Sequence, residues 1–285
     1  MNQHPYFNLR LHDDHELEAR VGDEIAERIT LHEWPLSCVQ RLTLASGRQL
    51  IYKAQYGPTV EAEVYARARS PLLPWAETLY RDEGHVCTLI EYVDAPMFED
   101  LEPSEEEAAR VAREVRAEID ALEGELPAYI DVRDRTRWQA YVEAMLGELR
   151  TLIAGGAFRV TTDEMAGDVA RWAVSPVVLA AFDGGCGYVH RDLSADNVLV
   201  LPDGYRVIDW QRPIWGPVDL DCVDLLNSLG YDPLRHVDAA VVQVWLILSI
   251  GWLTEAKARW FPEGETYDRQ VAELIARLGV LAEQT

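Results

Sequence analysis

The segment at residues 187–213, GYVHRDLSADNVLVLPDGYRVIDWQRP, constrains the fold of this chain more than any other stretch. Two apolar runs, NVLVL and YRVIDW, flank Pro202, Asp203 and Gly204, residues whose backbone preferences close a tight turn. The pattern predicts a β-hairpin, and a hairpin returns its open ends to one place. Asn197 begins the first strand and Asp209 ends the second, so the turn makes them neighbours; Asp192 lies five residues before Asn197 on the incoming loop. One amide oxygen and two carboxylates are therefore expected at one sheet rim.

Hard oxygen donors of this kind suit Mg²⁺, which keeps several waters and takes further ligands from phosphate. Asn197 and Asp209 are the candidate metal ligands. Asp192 is then left to orient or deprotonate a hydroxyl, which makes it the candidate catalytic residue. The spacing H-x-D-x-x-x-x-N, followed by an aspartate at a strand end, is the phosphoryl-transfer arrangement of kinases. His190 is expected to pack locally rather than bind metal, and Asp196 to be a loop acid.

The rest of the chain divides in texture. Residues 14–29 put Leu17, Val21, Ile25 and Ile29 at helical spacing. RITLHEW, VQRLTLAS and RQLIYKAQY then read as three antiparallel strands, with ASGR as a turn. A helix is expected at 59–70, and ETLYRDEG with HVCTLIEYV reads as a further hairpin. From residue 93 onward helices dominate, beginning with a Ser104/Glu107 capping signature and continuing at 134–154, 163–183, 237–260 and 266–282. The expected fold class is α+β. An antiparallel five-stranded sheet lobe with one inserted helix spans 1–92, and a larger, mainly helical lobe carrying the catalytic loop and substrate site spans 93–285.

Composition narrows the function. A net charge of −23 counts against nucleic acid as a partner and favours a cationic ligand, though it equally fits a solvated acidic surface. The four cysteines have no metal-ligand or redox spacing and read as reduced, buried thiols. No apolar leader is present at the N-terminus, and AAVVQVWLILSIGWL at 239–253 reads as a core helix; a cytoplasmic protein without a membrane partner is expected. Trp215, Tyr231, Trp252 and Trp260 are expected mostly in the core. Only two lysines occur, Lys53 and Lys257. Lys53 lies among apolar neighbours in the third strand, where an ammonium needs a task or a partner.

Taken together, His190-Arg191-Asp192, Asn197, Ile208-Asp209-Trp210 and GPVDLD at 216–221 resemble the aminoglycoside phosphotransferase and choline kinase group, small-molecule kinases that share the bilobal protein-kinase fold. The resemblance covers the chain in element order, and the central stretch carries its specificity. It implies that Mg-ATP sits between the lobes and that Lys53 holds the α- and β-phosphates. The partner of Lys53 would be a glutamate on the next helix, Glu61 in preference to Glu63. The strand end TLIEYVDA would be the hinge, with Glu91 and Val93 reading adenine through backbone C=O and N–H. It further implies a small-molecule substrate bearing a hydroxyl, either an aminoglycoside-like antibiotic or a cationic or polyol metabolite, with antibiotic resistance as the consequence in the first case. The alternatives are a protein kinase and a catalytically silent nucleotide-binding protein of the same fold. The segment LHEWPLSCVQ offers no glycine-rich phosphate loop, and Arg191 is expected to pair with an acid such as Asp219.

Overall fold

The computed structural model describes residues 1–284. In chain order its regular elements begin with β1 (Asn2–Gln3), β2 (Arg10–Leu11), α1 (Asp14–Val21), β3 (Ile25–Trp34), β4 (Ser37–Leu44), β5 (Gln49–Tyr56), α2 (Glu61–Arg67), β6 (Ala76–Asp82) and β7 (His85–Glu91). Then come α3 (Glu105–Asp120), β8 (Ile130–Asp131), α4 (Arg135–Ala154), α5 (Asp163–Ala173), α6 (Pro176–Ala180), β9 (Cys186–Val189), β10 (Val198–Leu201), β11 (Gly204–Val207), β12 (Ile214–Pro217), α7 (Leu220–Ser228), α8 (Ala239–Glu255) and α9 (Tyr267–Gln284).

The chain forms two compact units. The first comprises Met1–Pro103, Ala117–Tyr129 and Ala195–Pro213; the second comprises Ser104–Arg116, Ile130–Ser194 and Ile214–Thr285. The 187–213 segment is thus divided, with Asp192 in the second unit and the 198–207 hairpin in the first.

The first unit is built on an antiparallel sheet in the order β3-β4-β5-β7-β6. Alternation along its central strands sends Leu42, Leu44, Leu50, Tyr52, Cys87 and Leu89 into one core, which Leu17 of α1 completes. Lys53 has the opposite parity to Leu50, Tyr52 and Ala54 and sits across from Val39 and Thr88. The helix expected over 14–29 ends much earlier. Asp13 and Glu16 form a capping box at its start, and Gly22, at φ 72°, terminates it. Ile25 and Ile29 belong instead to β3. Their spacing of four residues fits one helical turn and two strand pleats equally well, so periodicity alone could not separate the two.

The second unit is mainly helical. The apolar helix α8 packs against α4, α6, α7 and α9. With the π-helical turn Ala256–Trp260 it is the one helix among the described residues long and apolar enough to cross a membrane, yet 67% of its most apolar window is buried within the protein. Gly251 permits the close approach of α4, because a Cβ there would lie 2.0 Å from the Tyr141 hydroxyl oxygen. A small sheet in the order β8-β12-β9 carries the chain into the loop bearing Asp192. The helix expected over 163–183 is two helices, since Ser175 caps α6 and Pro176 occupies its first turn. Trp215, Tyr231, Trp252 and Trp260 are half-buried rather than core. Trp215 is covered by the Arg133 guanidinium at 4.3 Å from its ring centre.

Candidate active site

Lys53 is a buried cation of the first unit. Its side chain is only 7% exposed, and an ammonium buried to that degree must be neutralised. Two carboxylates do this. Lys53 Nζ lies 2.7 Å from Glu61 Oε2 and also bonds Asp209 Oδ1. Burial alone would strip the proton from Lys53, but Asp209 and then Glu61 outweigh it and hold the ammonium above its ordinary range. Glu63 points elsewhere and pairs with Arg81 at 2.5 Å, so of the two glutamates Glu61 is the one that meets Lys53. Tyr65, one turn on from Glu61, donates its hydroxyl to Glu61 Oε1 at 3.3 Å, and burial keeps that phenol protonated.

The hairpin behaves as its turn chemistry requires. β10 and β11 pair from Val198↔Val207 to Leu201↔Gly204, and the Ile208 N–H donates to the Asn197 C=O at 3.1 Å. Asn197 occupies a 3₁₀ turn just ahead of β10, and Asp209 lies two residues beyond β11. Asp209 adopts φ 66°, a left-handed conformation that aspartate tolerates better than most residues. Gln211 Nε2 donates to Asp209 Oδ1 at 2.5 Å, and the Val60 N–H donates to the Gln211 C=O at 2.9 Å, fastening this segment to the start of α2. Gln211 had no signal in the sequence reading. Its position two residues after a candidate metal ligand is the only cue that could have singled it out.

Of the two residues expected at a hinge, Glu91 ends β7 and Val93 follows it in the same unit. The Glu91 N–H donates to the Trp75 C=O at 2.8 Å, whereas the Val93 N–H finds no acceptor among the described residues. A cavity of about 650 Å³, with Glu91, Tyr92 and Asp94 in its wall, opens here. Beyond Val93, the Phe98 N–H donates to the Val198 C=O and the Val200 N–H to the Pro96 C=O, so the chain there runs along β10.

Where a glycine-rich loop was sought, the chain makes a two-residue hairpin. Trp34 pairs with Ser37 across Pro35 and Leu36, and Trp34 Nε1 donates to Ser37 Oγ at 2.7 Å. The turn is too short to wrap a phosphate with backbone N–H groups.

In the second unit, Asp192 is exposed and follows Arg191, whose φ is 68°. The Asp192 N–H donates to His190 Nδ1 at 3.3 Å, so His190 acts as a local acceptor. Asp221 is fully buried and accepts the N–H groups of His190 (3.0 Å) and Arg191 (2.9 Å). Arg191 pairs with Asp224 at 2.8 Å rather than with Asp219, because Asp224 lies one helical turn on from Asp221 and shares its face of α7.

One other cluster has metal-ligand composition: His4, Glu33 and Cys38. His4 Nδ1 accepts from the N–H groups of Tyr6 and Phe7, which puts the proton of the neutral ring on Nε2, facing Glu33 at 3.5 Å. Burial pushes the Cys38 thiol up to about 11. His4 Nδ1 is already committed as an acceptor, and burial disfavours the Cys38 thiolate that a metal would need.

For Mg²⁺ the donor chemistry fits better. Asn197 supplies a side-chain oxygen and Asp209 a carboxylate on one hairpin rim, both of the hard type that this ion prefers.

A five-stranded antiparallel sheet unit with a lysine–glutamate pair, accompanied by a mainly helical unit, defines the protein-kinase-like fold of small-molecule kinases. The model of the phosphotransferase enzyme family (APH) matches residues 59–261, well over half of the chain, and the protein belongs to that family. No curated protein sequence matches it. Among solved structures, a choline/ethanolamine kinase family protein from Mesorhizobium loti is similar with a TM-score of 0.63 at 17% identity, over 90% of this chain and 88% of that one. Spectinomycin phosphotransferase, solved with ADP and spectinomycin, gives 0.55 at 11% identity over 95% and 99% of the two chains. A ternary complex of streptomycin, ATP and APH(2")-IIa gives 0.58 at 14% identity over 94% and 97%.

Proposed function

We propose that this phosphotransferase moves the γ-phosphoryl group of ATP, presented with Mg²⁺, to a hydroxyl of a small molecule. The observation that carries the reading is the buried Lys53 ammonium held by Glu61 and Asp209, with Asn197 joined to the same hairpin rim. A lysine so confined is a fixed positive charge for phosphate oxygens. Asn197 and Asp209 would hold the metal ion, which supplies charge neutralisation on the transferring group when bound. The free N–H of Val93 and the C=O of Glu91 suit the edge of adenine.

Asp192 accepts the proton of the acceptor hydroxyl at its carboxylate, or orients that hydroxyl in line with the phosphorus. Phosphoryl transfer of this type asks for positioning and electrostatics rather than covalent chemistry from the protein. The net charge of −23 favours a cationic acceptor, with a neutral polyol as the alternative, and an aminoglycoside acceptor would make the activity an antibiotic-resistance function. The four free thiols fit a reducing, cytoplasmic setting.

The protein-kinase alternative is weaker. Only ten residues separate Asp209 from α7, and four of them form β12, leaving little chain for a peptide-binding platform. The silent-protein alternative is opposed by the presence of Lys53, Asp192, Asn197 and Asp209 together.

The test is ADP release from Mg-ATP in the presence of spectinomycin, streptomycin, choline, ethanolamine, glucose or a generic peptide. Acceptor-dependent release with one small-molecule class is the expected result. Release with the peptide alone would replace this reading with the protein-kinase one, and calorimetric ATP binding without release for any acceptor would favour the silent protein.

A further inference from the structure

Arg191 has no role in the proposed reaction, yet its side chain makes several contacts beside Asp192. Its side chain is 14% exposed and that of Asp224 is 11% exposed. Arg191 Nη1 donates to Asp224 Oδ1 at 2.8 Å, while Nη2 donates to Ser249 Oγ at 3.0 Å and to the Trp245 C=O at 3.3 Å. The guanidinium also lies 5.5 Å from the Trp245 ring centre. Trp245 Nε1 closes the circuit by donating to Asp224 Oδ1 at 2.5 Å. Two spacings produce this arrangement. Asp221 and Asp224 stand three apart on α7, and Trp245 and Ser249 four apart on α8, so each pair shares a helix face.

The backbone at Arg191 needs such an anchor. A non-glycine residue at φ 68° is disfavoured by about 1 kcal/mol and persists where its surroundings over-determine it. Asp221 fixes the two N–H groups of this turn, and the guanidinium fork fixes its side chain to two helices. A planar fork can divide its donors among three acceptors in fixed directions, which a lysine point charge cannot.

We infer that Arg191 is a positioning residue for phosphoryl transfer: clamped by Asp224, Trp245 and Ser249, it sets the turn that presents Asp192. The inference rests on the role proposed for Asp192. With its fork committed to groups of the helical unit, Arg191 orders this loop without any covalent modification.

The test uses Arg191→Met, Arg191→Lys and the double variant Arg191→Met/Asp224→Leu in the full chain. A buried ion pair can be exchanged for apolar groups without loss of stability, so the double variant is expected to regain the melting temperature that Arg191→Met loses. Its kcat for ADP release, with the best panel acceptor, should stay about 10- to 100-fold below wild type while the KM for Mg-ATP stays within about threefold. Arg191→Lys should fall between the two. Recovery of kcat together with the melting temperature would show a merely structural pair and overturn the inference, as would an unimpaired kcat in Arg191→Met.

A second measurement keeps the two readings apart. Amide hydrogen exchange at residues 190–194 should rise about tenfold in the double variant while the rest of α7 and α8 stays protected. Unchanged exchange at 190–194 overturns the inference whatever the activity. If wild type releases no ADP with any acceptor, the proposed function fails, and the exchange result still decides whether Arg191 holds the loop.

Discussion

A buried cation–carboxylate cluster lies in each unit, and the two are built differently. Around Lys53, one carboxylate is fully enclosed and the other is not: Glu61 has 2% of its side chain exposed, whereas Asp209 has 28%. Around Arg191 both partners are enclosed, and the fork donates to a carboxylate, a hydroxyl and a carbonyl. A lysine ammonium is a compact charge whose three donors can be reassigned when a phosphate arrives; an arginine fork is a fixed brace. The first cluster therefore suits exchange with a ligand, and the second suits holding a loop still. Both are buried, so burial of charge alone would not have told them apart; the exposure of the second carboxylate does.

Five variants would break or sharpen that contrast. The largest effect is expected from Lys53→Met, which leaves Glu61 and Asp209 without their cation. Removing one partner of a buried pair costs about 3–5 kcal/mol, and loss of the charged phosphate contact should weaken nucleotide binding by about 10- to 100-fold; denaturant unfolding and calorimetry measure the two. Next comes Asp209→Asn, which keeps the shape and the Gln211 contact but removes the carboxylate. The Mg²⁺ concentration for half-maximal nucleotide binding should rise about tenfold.

A smaller effect should separate the adjacent glutamates. Glu61→Gln is expected to weaken nucleotide affinity by several fold, whereas Glu63→Gln removes only an exposed pair with Arg81 and should change stability by less than about 1 kcal/mol. Equal effects would mean that Lys53 does not depend on Glu61.

The remaining variant probes Asp221 through pH. Burial raises its carboxyl, the N–H of Arg191 opposes this, the nearby Asp224 charge adds to it, and the balance lies at about 7. A carboxyl raised above its unfolded range holds extra protons in the folded state, so its contribution to stability is greatest at acid pH and is lost as pH rises from about 4 towards 7. Melting temperatures between pH 5 and pH 8 should fall less in Asp221→Asn than in wild type, the two curves differing by roughly 5 °C in slope over that range. Parallel curves would show that Asp221 stays ionised throughout.

Much of the fold could be read from local chemistry. The five strands of the main sheet, the Pro202–Gly204 turn, the Ser104/Glu107 capping box and the lone lysine of β5 each announce themselves in a few adjacent residues. Features decided by tertiary contacts did not. The four-residue spacing of Leu17, Val21, Ile25 and Ile29 could not say where α1 ends, and β8 and β12 are too short to carry a period. The site followed the same rule. Lys53 was visible as a rare lysine among apolar neighbours, Glu61 through the family resemblance, and Asn197 and Asp209 because a tight turn joins the two ends of one hairpin. Asp224, Trp245 and Ser249 were invisible as partners of Arg191, since residues separated by 33 to 58 positions meet only after α7 and α8 have packed.

The central claim, that Asp192 acts on the acceptor while Lys53, Asn197 and Asp209 hold the nucleotide, is tested most directly by Asp192→Asn. Phosphoryl transfer from Mg-ATP to the best panel acceptor would be followed alongside calorimetric ATP affinity. The account predicts affinity within about threefold of wild type and turnover reduced about 10³-fold, the scale of a lost general base. Turnover comparable to wild type would contradict it and remove Asp192 from the chemistry.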